Sequence, residues 1–247
     1  MRNFFLFFAV FFLTGALSAQ DRALSDLKLL SSRPGETLLQ FDLTGVRFSE
    51  AATPLGTAKI PHFEGGTPLL EAGMPDLPKY ATALRIPAGA AMRVEITEAV
   101  YEEYTGVDIA PSKGNLLRKV DPAGVPYTYG DVYMQDAFYP SDLTALQQVF
   151  TLRDAKGQTL WIFPVRYNPV AKVLRVYTSV RIRVFDAAQT AENPDTEPAP
   201  GAAFQQLYNK VFVNNDAFGQ TNANNPQPDK MLVIADDALI SELAPLV

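Results

Sequence analysis

The residues best suited to recognition chemistry are the adjacent cations Arg118 and Lys119, preceded by Leu117, within the stretch APSKGNLLRKVDPAGVPYTYG at residues 110–130. This stretch has no strand or helix periodicity, and a loop longer than about 12–15 residues without structure of its own is usually functional or disordered. Tyr127, Tyr129 and Tyr133 toward its far end argue for an ordered base. Two readings of the cations stand. They are a solvated pair on a surface loop, or a rigid scaffold presents an arginine to a partner's acidic pocket, where a planar guanidinium meets a carboxylate through two parallel hydrogen bonds.

Other chemistry-bearing residues offer little to catalysis. Cysteine is absent, which removes both a thiol nucleophile and a disulfide scaffold. His62 is the single histidine and sits in Pro61-His62-Phe63 beside turn residues. One imidazole is a poor start for a metal site, and nothing in the spacing supports a Ser-His-Asp triad around it. Glu102-Glu103 and Asp236-Asp237 read as a solvated strand end and a helix cap, not as two acids facing each other across a cleft. No catalytic residue, metal ligand or cofactor is expected within these 247 residues.

The elements that must position the loop are strands. Residues 158–186 read as a β-hairpin, with Leu174, Val176, Thr178, Val180, Ile182 and Val184 on one face of its second arm and Arg175, Tyr177, Ser179, Arg181 and Arg183 on the other. Tyr167, Asn168, Pro169 and Val170 supply its turn. Such an arm belongs to an antiparallel sheet with one wet face. Shorter β-like runs at residues 37–43, 46–48, 91–97 and 149–152 are separated by Gly and Pro, which favours a mostly β fold, an antiparallel β-sandwich or jelly roll. Residues 141–148, SDLTALQQ, look like one brief helical turn with Ser141 or Asp142 as N-cap. Gly73-Met74-Pro75-Asp76-Leu77-Pro78 suits an extended segment bracing a sheet edge.

Residues 1–20 carry Arg2, an apolar run from Phe4 to Leu13 and small residues at Ala16 to Ala19, the pattern of an export signal. The run is about half of the roughly 20 apolar residues a membrane span needs, so no span remains after signal removal. The net charge of −6 becomes −7 once Arg2 is lost, which argues against nucleic acid as a partner. Residues 21–186 form the expected sandwich domain. Residues 187–203, rich in Ala, Pro and acids, read as a linker spanning about 20–25 Å. Residues 204–229 return to aromatics and then to a polar junction. Residues 230–247 hold a buried-type strand, Lys230 to Ala235, and a helix start, the truncated beginning of an α/β domain.

The run at residues 110–130, followed by Phe150-Thr151-Leu152-Arg153-Asp154, Arg166-Tyr167-Asn168-Pro169-Val170 and Leu174-Arg175-Val176-Tyr177-Thr178, resembles the pro-region of the gingipain-type cysteine endopeptidases. Gly73 to Pro78 resembles that family's early G-x-P-x-L-P element, and Tyr208-Asn209-Lys210-Val211-Phe212 the segment closing the pro-region. The resemblance implies a secreted β-sandwich prodomain that chaperones and inhibits a caspase-like protease domain following it in the same polypeptide. It also implies that Arg118, between Leu117 and Lys119, is the basic residue placed in that enzyme's specificity pocket. Self-activating family members commonly carry arginine at the junction. Here residues 211–229 contain neither arginine nor lysine, leaving Lys210 and Lys230 as the nearest basic sites for processing. The competing expectation is a secreted β-sandwich module that binds glycans or surface proteins through its proline-rich loops.

Overall fold

A computed structural model describes residues 24–188 and 202–218. The expected signal segment, most of the expected linker, Lys230 and the expected α/β start at residues 230–247 lie outside the described residues. Strict alternation in ETLLQFDL makes strand β2 (Glu36–Leu43), whose Thr37, Leu39, Phe41 and Leu43 are buried while the residues between them are half-exposed. It pairs with β1 (Ser25–Arg33) on one side and with the long β11 (Val173–Asp186) on the other. β7 (Met92–Thr105) runs antiparallel along the far edge of β11, and β10 (Val165–Asn168) pairs with the start of β11.

A second antiparallel sheet has the order β5 (Thr67–Pro68), β6 (Pro78–Ile86), β9 (Ala155–Ile162), β8 (Thr144–Leu152). β3 (Arg47–Thr53) and β4 (Gly56–His62) form a separate ribbon. The two large sheets face each other across one apolar core. Phe41 of β2, Val180 and Ile182 of β11, Leu84 of β6, and Leu160 and Ile162 of β9 are each at most 1% exposed within it. Each such side chain contributes about 1.5–3 kcal/mol by burial, so this core holds the fold. Among the described residues no helix is long and apolar enough to cross a membrane.

β11 keeps its apolar face through Leu174, Val176, Val180, Ile182 and Val184, but the expected alternation breaks in its middle, where Tyr177 is 5% exposed and Thr178 is half-exposed. Two compensating bulges against β7 interrupt the register, at Thr178 and at Thr97. Each threonine hydroxyl donates to the opposite strand, Thr178 to the Val100 carbonyl at 3.4 Å and Thr97 to the Arg181 carbonyl at 3.3 Å. The outer face is an ion-pair ladder: Arg175 to Glu103 at 2.7 Å, Arg181 to Glu98 at 2.8 Å, Arg183 to Glu36 at 2.6 Å.

Three expectations need correction. The first arm of the 158–186 hairpin is not continuous, because it leaves one sheet and enters the other at Phe163-Pro164. Proline has no N–H to continue the β9 ladder; instead the Phe163 N–H bonds the Leu143 carbonyl and the Pro164 carbonyl accepts the Tyr177 N–H. The turn that follows is residues 169–172, so Tyr167 and Asn168 lie in β10. Asn168 Oδ1 still closes the bend, accepting the Ala171 N–H at 3.0 Å. Residues 141–148 form no helical turn. From Thr144 they belong to β8, paired with β9 through Thr144–Ile162 and Leu146–Leu160, and a bulge between Leu146 and Val149 absorbs the non-alternating Gln147-Gln148. Tertiary pairing here overrides a weak local helix preference.

Helix α1 (Ala202–Val211) returns the chain to the sandwich. Tyr208 and Phe212 are 0% and 2% exposed against Ala155, with Phe212 stacked on Phe150. A Cβ on Gly157 would lie 2.5 Å from Phe150 and 2.6 Å from Phe212, so this approach requires glycine. Asn214 then bridges the sheets: Oδ1 accepts the Arg85 N–H of β6 at 2.7 Å, and Nδ2 donates to Thr37 Oγ1 of β2 at 3.0 Å.

Candidate functional site

The chain between Val107 and Tyr139 makes one excursion from the sandwich, and β10 ties down both of its ends. The Tyr167 hydroxyl donates to the Val107 carbonyl at 2.9 Å on the inbound side. On the outbound side Tyr139 and Tyr167 exchange both backbone hydrogen bonds at 2.8 Å, and Asn168 Nδ2 donates to Asp136 Oδ1 at 2.8 Å. Arg166 adds a third tie, its Nε donating to the Pro140 carbonyl at 2.7 Å. Arg166-Tyr167-Asn168, one of the motifs that carried the family resemblance, thus anchors the loop it does not belong to.

A second constriction lies further out and is made by the Gly73 to Asp76 segment. Gly73 donates its N–H to the Ser112 carbonyl at 2.9 Å and accepts the Gly130 N–H at 2.9 Å, so one residue holds both arms of the loop. Met74 accepts the Ser112 N–H at 2.7 Å, and the Asp76 N–H reaches the Ala110 carbonyl at 2.9 Å. Gly73 has φ of +79°, a region glycine enters without strain. A Cβ there would stand 3.3 Å from the Gly130 nitrogen. The segment expected to brace a sheet edge therefore braces the loop. Asp76 is largely withdrawn from water behind this constriction, and burial pushes its carboxyl above the usual range, with the charge of His62 opposing.

Beyond the pinch the loop is ordered by its own side chains. Lys113 Nζ donates to the Pro122 carbonyl at 2.7 Å and sits 4.2 Å from the Tyr127 ring centre. Asp121 Oδ1 accepts the Ala123 N–H at 2.9 Å and caps the single turn Pro122–Gly124. Tyr129 packs edge-on against Tyr133 with centroids 4.6 Å apart, its hydroxyl 2.8 Å from Thr53 Oγ1, and Tyr133 donates to the Ile109 carbonyl at 2.9 Å. The three tyrosines expected to order the base all sit at such contacts.

At the tip the Val120 N–H bonds the Leu117 carbonyl at 2.9 Å, which places Arg118 and Lys119 at the centre of a turn. Leu117, Arg118 and Lys119 are exposed, Leu117 to 67%. Among the described residues no hydrogen bond or ion pair holds the Arg118 guanidinium. An exposed guanidinium without a partner among the described residues, on a doubly anchored turn, can offer two parallel N–H groups to a carboxylate with little further loss of backbone freedom.

The remaining candidates lie elsewhere. His62 Nε2 is 2.7 Å from Ser49 Oγ across the exposed β3–β4 ribbon. Among the described residues no three His, Asp or Glu side chains gather as a metal site. Lys210 is exposed in the last turn of α1, where its charge faces the negative end of the helix dipole. Cleavage after it requires that turn to unwind and the buried Tyr208 and Phe212 to leave the core. Sequence reasoning missed Gly73, Lys113 and Arg166 as parts of the site. Gly73 lies in the segment read as a sheet-edge brace, Lys113 in the loop run itself and Arg166 in the RYNPV motif, and none of these points to residue 118 by itself.

The chain matches the Propeptide_C25 family over residues 20–223. It is 35% identical over 206 residues to gingipain R1 of Porphyromonas gingivalis, covering 83% of this chain and 21% of that protein. Gingipain R2 of the same species is 33% identical over 210 residues, covering 84% of this chain and 28% of that protein. The chain thus spans between about a fifth and a third of the length of these relatives. In structure it is similar to the complex of P. gingivalis RgpB pro- and mature domains, with a TM-score of 0.70 and 34% identity over 77% of this chain and 98% of that one. A structure of P. gingivalis gingipain K addressing zymogenic latency matches with a TM-score of 0.54 at 24% identity over 66% of this chain and 98% of that one, a likeness of fold.

Proposed function

The chain belongs to the Propeptide_C25 family and is a gingipain-type pro-region, and from that premise we propose that it inhibits a cysteine protease domain by seating Arg118 in that enzyme's specificity pocket. The observation that carries the reading is the unpaired Arg118 at the tip of a loop fixed at β10 and again at Gly73. A guanidinium that pairs bidentately with a carboxylate at a pocket floor gains charge-assisted hydrogen bonds. Because the turn is ordered in advance, less entropy is lost on docking. Linkage to the protease in one polypeptide raises the effective concentration to the millimolar range for a short flexible linker.

The same geometry supports a folding role. The clasp formed by Tyr208, Phe212 and Asn214 completes the sandwich immediately before the junction, so a finished template can precede the protease in the chain. The signal pattern at residues 1–20 supports export from the cytoplasm. Processing at Lys230 is the simpler expectation, because Lys210 lies within α1.

Mature gingipain R1 is the test enzyme, with the 247-residue chain added in trans and its inhibition constant measured beside Arg118→Ala. The expected result is a loss of about tenfold or more for the variant, with an unchanged melting temperature. Equal inhibition by the two proteins dismisses Arg118, and the absence of inhibition by either overturns the inhibitor reading for this enzyme class.

A further inference from the structure

The pro-region reading leaves unexplained a groove of about 400 Å³ at the foot of the loop. Its walls come from three directions: the tip of the β3–β4 ribbon at Leu55, the return arm of the loop at Tyr129 and Met134, and the turn entering β11 at Lys172. Leu55 is 80% exposed and Met134 77%. With Leu117 at 67%, they are the three most exposed large apolar side chains among the described residues, and all three lie on the loop or in the groove at its foot. The outer face of β11 has the opposite character, with its cations covered by carboxylates. Ten other large apolar side chains are exposed elsewhere among the described residues, each at 52% or less; the gathering of the three most exposed in one neighbourhood is what a contact surface shows.

The ribbon is locked to the loop rather than merely near it. Lys59 of β4 donates its N–H to the Asp108 carbonyl at 2.7 Å and accepts the Ala110 N–H at 3.0 Å, and Thr53 Oγ1 lies 2.8 Å from the Tyr129 hydroxyl. A body that receives Arg118 in a pocket therefore approaches a rigid unit whose near wall is the loop's own foot. We propose that this groove is a second anchor for the protease domain: an apolar ridge beside the specificity pocket packs between Leu55 and Met134 while Arg118 occupies the pocket. The claim rests on the pro-region reading and goes beyond it, because it assigns which side of the loop the enzyme covers. The Lys172–Asp108 pair, 2.8 Å apart at the groove's edge, supplies a polar rim around the apolar seat.

The test uses the full 247-residue chain as Leu55→Asp, Met134→Asp and the double variant, each assayed against mature gingipain R1 beside Arg118→Ala. Both side chains are exposed, so folding is undisturbed and melting temperatures stay level. The double variant is expected to inhibit about tenfold less well, since a carboxylate must then be desolvated against an apolar surface. As a second readout, peroxide oxidises Met134 readily in the free chain and slowly in the complex. If Arg118→Ala weakens inhibition while the double variant does not, and Met134 oxidises equally in both states, the groove is no anchor and the loop reading stands alone. If the double variant changes only the chain's self-association in sedimentation, the groove joins copies of this chain and the proposal is overturned. If Arg118→Ala has no effect and the double variant does, the pocket reading falls and the groove survives it.

Discussion

Two groups of cations on this molecule share a chemistry and differ in everything around them. On the outer face of β11, Arg175, Arg181 and Arg183 each meet a carboxylate from a neighbouring strand, and Glu36 serves both Arg183 and Arg33. At the loop tip Arg118 and Lys119 have no such partner among the described residues. The sheet arginines are held by a ladder of cross-strand pairs and do local work on register and solubility. The tip cations are held by backbone, through a turn, a pinch and two anchored ends, which leaves their charge available to another molecule. What separates a structural arginine from a recognition arginine here is whether the acids nearby are already engaged.

The largest expected effect threatens both groups at once. Phe212→Ala removes the plug between α1 and the second sheet and should cost about 3–5 kcal/mol, read as a fall in the urea midpoint, with inhibition lost in proportion to unfolded chain. Next in size is Gly73→Ala, which forces a side chain into the left-handed region against Gly130. It should cost about 1 kcal/mol of stability or more and weaken inhibition several-fold, and in an Arg118→Ala background it should weaken inhibition no further if the pinch acts through the tip.

Smaller effects sharpen the contrast within the arginines. Arg181→Ala should change stability by less than about 1 kcal/mol and inhibition not at all, because an exposed pair in water contributes little. Trypsin should cut after Arg118 or Lys119 before it cuts after Arg175, Arg181 or Lys210, because the tip is an exposed turn and the others lie in a strand or a helix; mass spectrometry of early fragments reads this order. The smallest effect is on pH. A hydrogen bond from Arg183 holds the Glu36 carboxyl below the ordinary glutamate value of 4.5. The unfolded chain therefore takes up that proton first as pH falls. The stability Glu36 adds is present above about 4.5 and is lost as pH drops through its folded value, so Glu36→Gln should flatten the acid side of the stability curve by under about 1 kcal/mol.

The sheets were legible in the sequence wherever one face is buried. Residues 37–43 and 180–184 alternate because one side touches the core, and period two records that contact directly. The sheet change at Pro164 was written in the missing N–H of a proline but was outweighed by the continuous β-like composition around it. Residues 141–148 misled because Leu143, Leu146 and the glutamines suit a helix locally, whereas their state is decided by β9, which follows later in the chain. For the loop, absence of periodicity located it and family resemblance picked out Arg118. The pinch at Gly73, nearly 60 residues before Gly130, was not legible, since a backbone contact between two glycines leaves no pattern in side-chain chemistry.

Arginine modification by phenylglyoxal, followed by peptide mass spectrometry in the chain alone and in complex with mature gingipain R1, tests the central contrast most directly. Arg118 should react ahead of Arg175, Arg181 and Arg183 in the free chain and become protected in the complex, while the sheet arginines keep their slower rates in both. An Arg118 that reacts at the same rate bound and free would contradict the account.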